Sequence, residues 1–116
     1  MNITPYFNKI EYINATAQQI IKDFDLFGLE IKFSGNPDNA YNELLYQISP
    51  PIAKLIESNY QKLLNLLYRI DVNESKISGI VNDNTVSSLS EAIADLVIKR
   101  ELQKIVIRQH YSPKDK

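Results

Sequence analysis

The chain contains no cysteine. That excludes disulfides, thiol nucleophiles, iron–sulfur clusters and thiolate zinc sites, and it fits a reducing compartment. It holds one histidine, His110, which excludes a histidine-rich metal site. His110 reads as a surface residue at a helix end, where a positive imidazole suits the dipole. There is no GxxxxGK and no GxGxxG, so no phosphate-cradling loop is expected. Asn82-Asp83-Asn84 lacks the alternating ligands, central glycine and terminal glutamate of a calcium loop and reads as a turn. Apolar runs are a few residues long, far short of the roughly 20 that span a membrane. The first residues, MNITPYFNKIEYIN, show no basic stretch followed by an apolar one, so no signal peptide is expected. These absences lead to the expectation of a cytoplasmic protein without cofactor, metal or membrane contact.

What is present suits one domain, 1–116, with 112–116 as a frayed tail. A chain of 116 residues can bury enough surface to fold without a metal or disulfide. The net charge of −1 is unevenly spread: residues 1–58 carry −3 and residues 59–116 carry +2. The last eighteen residues, 99–116, carry +4, a mildly basic end rather than a basic domain.

The apolar periodicity predicts an all-α fold, a compact bundle of five or six helices. Thr4-Pro5 is a hydroxyl cap followed by proline, suited to a first helical turn reaching about Tyr12. Ile13, Ala17, Ile20, Ile21, Phe24 and Phe27 then mark one face of a helix over 14–27, and Gly28 is a natural stop. In 29–33, Leu29, Ile31 and Phe33 alternate with Glu30 and Lys32, which predicts a lone strand or an extended connector. A strand at 104–108 pairing with it is the alternative to helix there. Tyr41, Leu44, Leu45 and Ile48 predict a helix over 38–48 that Ser49-Pro50-Pro51 ends, with a short helix restarting at the prolines. Ser58 or Asn59 caps the next helix, on which Leu63, Leu67 and Ile70 face inward and Arg69 sits on the polar side. Asp71-Val72-Asn73-Glu74 reads as a capping box, so that Asp71 ends this helix and starts the next, which carries Ile77, Ile80 and Val81. Asn82 to Thr85 reads as a loop, and the last helix runs from about Val86 to His110. Among the tyrosines, Tyr41, Tyr60 and Tyr68 fall on or beside apolar stripes and are expected in the core, whereas Tyr46 and Tyr111 are freer.

The last helix supplies the candidate sites. Val86, Leu89, Ile93, Leu96 and Val97 share one face, but Ile98, Leu102, Ile105 and Val106 lie on the opposite one. A helix with two apolar faces is either central to a bundle, kinked, or open to another chain. The last of these makes Ile98, Leu102, Ile105 and Val106 a candidate protein interface, for a protein partner or for self-association. Lys99, Arg100, Lys104 and Arg108 form a basic ridge that suits phosphate contacts, the alternative reading as a nucleic-acid accessory protein. Arg100 falls in line with the first apolar face and so predicts an ion pair, with Asp71, Glu74 or Glu43 as partner. Arg69 and Glu101 are expected to form a second cross-helix pair. Asp23 and Asp25 diverge on a helix, and Glu91 and Asp95 share a face without the further ligands a metal needs. No set of residues can be assigned nucleophile, base and acid, so the expectation is a non-enzymatic interaction module.

With FSGNP at 33–37, LLYRIDV at 66–72 and KRELQK at 99–104 in view, the chain resembles small, mainly helical bacterial proteins with no assigned function. The resemblance covers most of the chain from about Phe24 onward. It implies a single cytoplasmic helical domain and transfers no functional residue.

Overall fold

Ile13, Ala17, Ile20 and Phe24 recur at helical spacing, and they form the buried edge of α1, Ile10–Asp25. The computed structural model describes residues 6, 9–73, 75–77 and 86–111, with backbone alone at 86–88 and 111. The expectations for Thr4-Pro5, Glu74, Ile80, Val81, the loop Asn82–Thr85 and the tail 112–116 lie outside the described residues. Three more long helices follow: α2, Ala40–Ser58; α3, Tyr60–Ile70; and α4, Val86–Tyr111. A further helical stretch includes 75–77. The fold is all-α, and no strand occurs among the described residues.

Each helix end has a local cause. Gly28, at φ +75°, closes α1: its N–H bonds Asp25 O and the Leu29 N–H reaches back to Phe24 O, both at 3.0 Å. This is a left-handed stop that a glycine adopts without strain. Asn59 separates α2 from α3 and caps the latter, its side chain accepting the Lys62 N–H at 3.1 Å.

Residues 29–34 belong to no helix and no strand. Ile31 is buried and Glu30 and Lys32 are exposed, which is the alternation read from the sequence. Side chains of α2 take the place of a neighbouring strand. Glu43 accepts both the Ser34 N–H, at 2.8 Å, and the Ser34 hydroxyl, at 2.7 Å. Gln47 accepts the Lys32 N–H at 3.3 Å. The connector reading therefore holds over the strand, and 104–108 is helical.

Two expectations are corrected here. Ser49-Pro50-Pro51 does not break the chain into two helices; α2 runs through both prolines. Each interior proline costs about 3 kcal/mol. The buried row Leu44, Ile48, Ile52 and Leu55 continues across them, and each such side chain returns roughly 1.5–3 kcal/mol on burial. The disrupted side faces water, since Pro50 is exposed and Tyr46 is 80% exposed. Asp71 is also not an N-cap. It does end α3, as expected, in the left-handed region at φ +72°, with Val72 N–H to Leu67 O at 3.0 Å and its own N–H to Tyr68 O at 3.1 Å. Asn73 caps the next turn instead, accepting the Ser75 N–H at 2.8 Å.

Helix α4 is the central element and packs against α1, α2 and α3. Both of its apolar faces are consequently inside. Ile93 and Val97 are buried from one side, and Ile98, Leu102, Ile105 and Val106 from the other, at 0–1% exposure. Tyr60 and Tyr68 are further corrections: they are 38% and 83% exposed and are not core residues, whereas Tyr41 is half-buried.

Candidate functional site

The second face of α4 is not a free surface. Ile98, Leu102, Ile105 and Val106 are covered within the chain, so in this conformation they have nothing to offer a partner. A helix enclosed on several sides needs apolar residues all round, which is the physical reason for the change of face.

The basic ridge is half neutralised. Lys99 Nζ lies 3.1 Å from Asp95 Oδ2, Arg100 Nη2 lies 2.8 Å from Asp71 Oδ2, and Lys104 Nζ lies 2.9 Å from Glu101 Oε1. Arg108 is exposed and has no ion pair among the described residues. Lys104 also keeps its charge, because its partner Glu101 holds a proton at neutral pH, so Lys104 and Arg108 are the two uncompensated cations of a short phosphate track. The expected pairing of Arg100 with Asp71 is formed, although Arg100 is half-buried rather than enclosed.

Arg69 pairs elsewhere than expected. From the exposed side of α3 its Nε reaches Asp23 Oδ1 on α1 at 3.3 Å, not Glu101. Gln19 Nε2 donates to the same oxygen at 3.0 Å. Glu101 nevertheless belongs to this cluster, because its carboxyl meets that of Asp23 at hydrogen-bonding range. Asp23 is 2% exposed and Glu101 is 0% exposed. The Lys104 ammonium stands at ion-pair distance, but no donor meets either Glu101 oxygen at hydrogen-bonding angles. Two carboxylates cannot bond one another without a proton between them. Burial, and next the Asp23 carboxyl, push Glu101 up to about 8, while Lys104 pulls the other way. Glu101 is thus the acid that keeps its proton at neutral pH and donates to Asp23.

This arrangement joins α1, α3 and α4 through two adjoining buried carboxyls and two flanking cations. No substrate can reach Glu101 here, so general acid chemistry on an external molecule has no access. Among the described residues no three or more His, Cys, Asp or Glu side chains gather as a metal would need. No helix among them is long and apolar enough to cross a membrane.

The acid pair had a sequence signal. Asp23 falls in the stripe of Ile20 and Phe24, and Glu101 in that of Ile98, Leu102 and Ile105. An acid inside an apolar stripe predicts a buried partner as surely as Arg100 did.

Two further features lie between α2 and α4. The Tyr41 hydroxyl donates a short hydrogen bond to Asp95 Oδ1. Burial, and next that carboxylate, raise the phenol far above its ordinary range. Beside it runs a groove of about 610 Å³, lined by Leu45, Tyr46, Ser49, Pro50, Ala53 and Glu91, with Asn42 and Ser90.

At the far end of α4, His110 is exposed as expected. Its Nε2 lies 3.3 Å from the Tyr6 hydroxyl, and its ring stacks on Tyr12 at 6.4 Å between centroids.

Comparison of the chain with protein-family models, with curated proteins and with solved structures finds no match.

Proposed function

We propose that the protein is a non-enzymatic interaction module that seats a basic, apolar-anchored segment of a partner protein in the groove between α2 and α4. The observation that carries this reading is Tyr46, 80% exposed on a regular helix at the edge of that groove. A tyrosine held on a helix offers a large contact area at small entropic loss. Leu45, Pro50 and Ala53 supply the apolar floor.

The charge favours a basic partner. No lysine or arginine lines the groove, and Glu91 stands at one side. A neighbouring recess shares Asn42 and Tyr46 and adds Asp38 and Glu43. Pro50 and Pro51 have no N–H to give the carbonyls of Tyr46 and Gln47, so two acceptors lack their usual helical donors beside the groove. Lysine or arginine side chains satisfy both demands. A cytoplasmic setting goes with this reading, as the lack of cysteine allows.

A photo-crosslinking residue placed at 46, and separately at the equally exposed position 68, tests it in cells. Adducts at 46 alone are expected. Their cross-linked peptide should carry basic residues beside an apolar one, and Ala53→Glu in the groove should abolish them. Equal adducts at both positions, adducts to an acidic segment, or adducts to a second copy of this chain would each overturn the reading.

A further inference from the structure

A second concavity lies on the other side of α4, where α3 ends. It has a volume of about 460 Å³ and is lined by Asp71, Val72, Asn73 and Lys76 from the turn after α3, and by Leu96, Lys99, Arg100 and Gln103 from α4. Three of these eight side chains are cationic and one is anionic. Arg100 is paired with Asp71 and Lys99 with Asp95, so the uncompensated positive charge at this concave surface is that of Lys76.

The cations differ in how they are held. Arg100 is fixed by three bonds: Nε to Asp71 O at 3.1 Å, Nη2 to Asp71 Oδ2 at 2.8 Å and Nη1 to Gln103 Oε1 at 2.8 Å. A guanidinium has five N–H groups, so two stay open after these. Lys99 is held at 3.1 Å by Asp95, which is not part of the lining, and an ammonium so paired keeps further donors. Lys76 is exposed and has no ion pair among the described residues. Half-buried Leu96 and nearly buried Val72 give the same pocket an apolar wall. Its size falls within the usual range for small-ligand sites, about 300–1,000 Å³.

We propose that this pocket binds a small organic oxyanion, a phosphate or carboxylate carried on an apolar body. Arg100 supplies the pre-positioned donors, Lys76 the uncompensated charge, and Leu96 and Val72 the contact for the apolar part. The site is separate from the groove around Tyr46, since α4 lies between them and no residue lines both.

The test is an amide NMR titration of the isotope-labelled chain with phenyl phosphate and, in a second arm, benzoate; the two arms separate phosphate from carboxylate. Phenol and inorganic phosphate serve as probes of each half alone. Saturable shifts at Val72, Lys76, Leu96 and Gln103 are expected with at least one of the two anions, weaker binding with each half alone, and attenuation by salt. Lys76→Gln changes an exposed side chain, and its spectrum away from the pocket checks that the fold is kept. It should weaken binding about tenfold, the loss of one charge-assisted contact. No saturable shift with either anion, equal binding of phenol, or an unchanged affinity in Lys76→Gln would overturn the proposal.

Discussion

Arg100 holds Asp71 at two points, the backbone carbonyl at 3.1 Å and the carboxylate at 2.8 Å. Asp71 is the residue that closes α3 in the left-handed region. The pair thus clamps a strained turn onto the central helix, and the clamp and the strain can be measured separately. Asp71→Gly loses the carboxylate bond but relieves the left-handed strain; Asp71→Ala loses the bond and keeps the strain. Urea denaturation should rank the wild type above Asp71→Gly and place Asp71→Ala about 1 kcal/mol below Asp71→Gly. Arg100→Ala should cost about 1 kcal/mol in the wild type, in keeping with a part-exposed pair, and less in the Asp71→Ala background. Equal stabilities of the alanine and glycine variants would show that residue 71 is not held left-handed in solution.

Glu101 makes the fold sensitive to alkali. Its folded pKa, about 8, lies above the ordinary value of 4.5. The folded state therefore holds a proton that the unfolded state gives up between these limits. Stability should be greatest below about pH 4.5 as far as this group is concerned, fall as pH rises towards 8, and level off beyond it. Glu101→Gln keeps the shape and a donor for Asp23 but cannot ionise. It should melt close to the wild type at pH 5 and higher at pH 9, by an amount of the order of a few kcal/mol. Parallel melting curves for the two proteins across that range would show that Glu101 does not carry the proton.

The helices were legible where apolar spacing decides structure, as for Ile20, Phe24, Leu44, Ile48, Leu63 and Ile70, all of which are buried. Punctuation was read less well, because prolines and caps are local signals that tertiary packing can override. Pro50 is exposed and Pro51 half-buried, and the buried row beneath them outweighs the lost bonds. Asp71 was read as both ending one helix and capping the next; it ends α3 in the left-handed region, where Arg100 bonds it, and Asn73 does the capping. The ion pairs show the same limit. Periodicity indicated that Arg100 needed an acid, but whether Arg69 meets Asp23 or Glu101 depends on how α1, α3 and α4 are placed together. The two-faced pattern of α4 was visible in the sequence; that both faces are covered within one chain follows from its central position.

Glu43 carries the last consequence. It stands in the first turn of α2 and takes both the Ser34 N–H and the Ser34 hydroxyl. Its carboxylate does for the connector 29–34 what a neighbouring strand would do, with Gln47 supplying the second bond at Lys32. The site of this contact is exposed, so little of the global stability should depend on it, whereas the local order of the connector should. Glu43→Ala is expected to speed amide hydrogen exchange at Ser34 by an order of magnitude or so, the loss of one charge-assisted bond. Exchange in α3 and the midpoint of thermal unfolding should change little, because Ile31 still anchors the segment in the core. Glu43→Gln keeps an acceptor without the charge and should fall between the two. Unchanged exchange at Ser34 in the alanine variant would mean that burial of Ile31, and not the side chains of α2, fixes the connector.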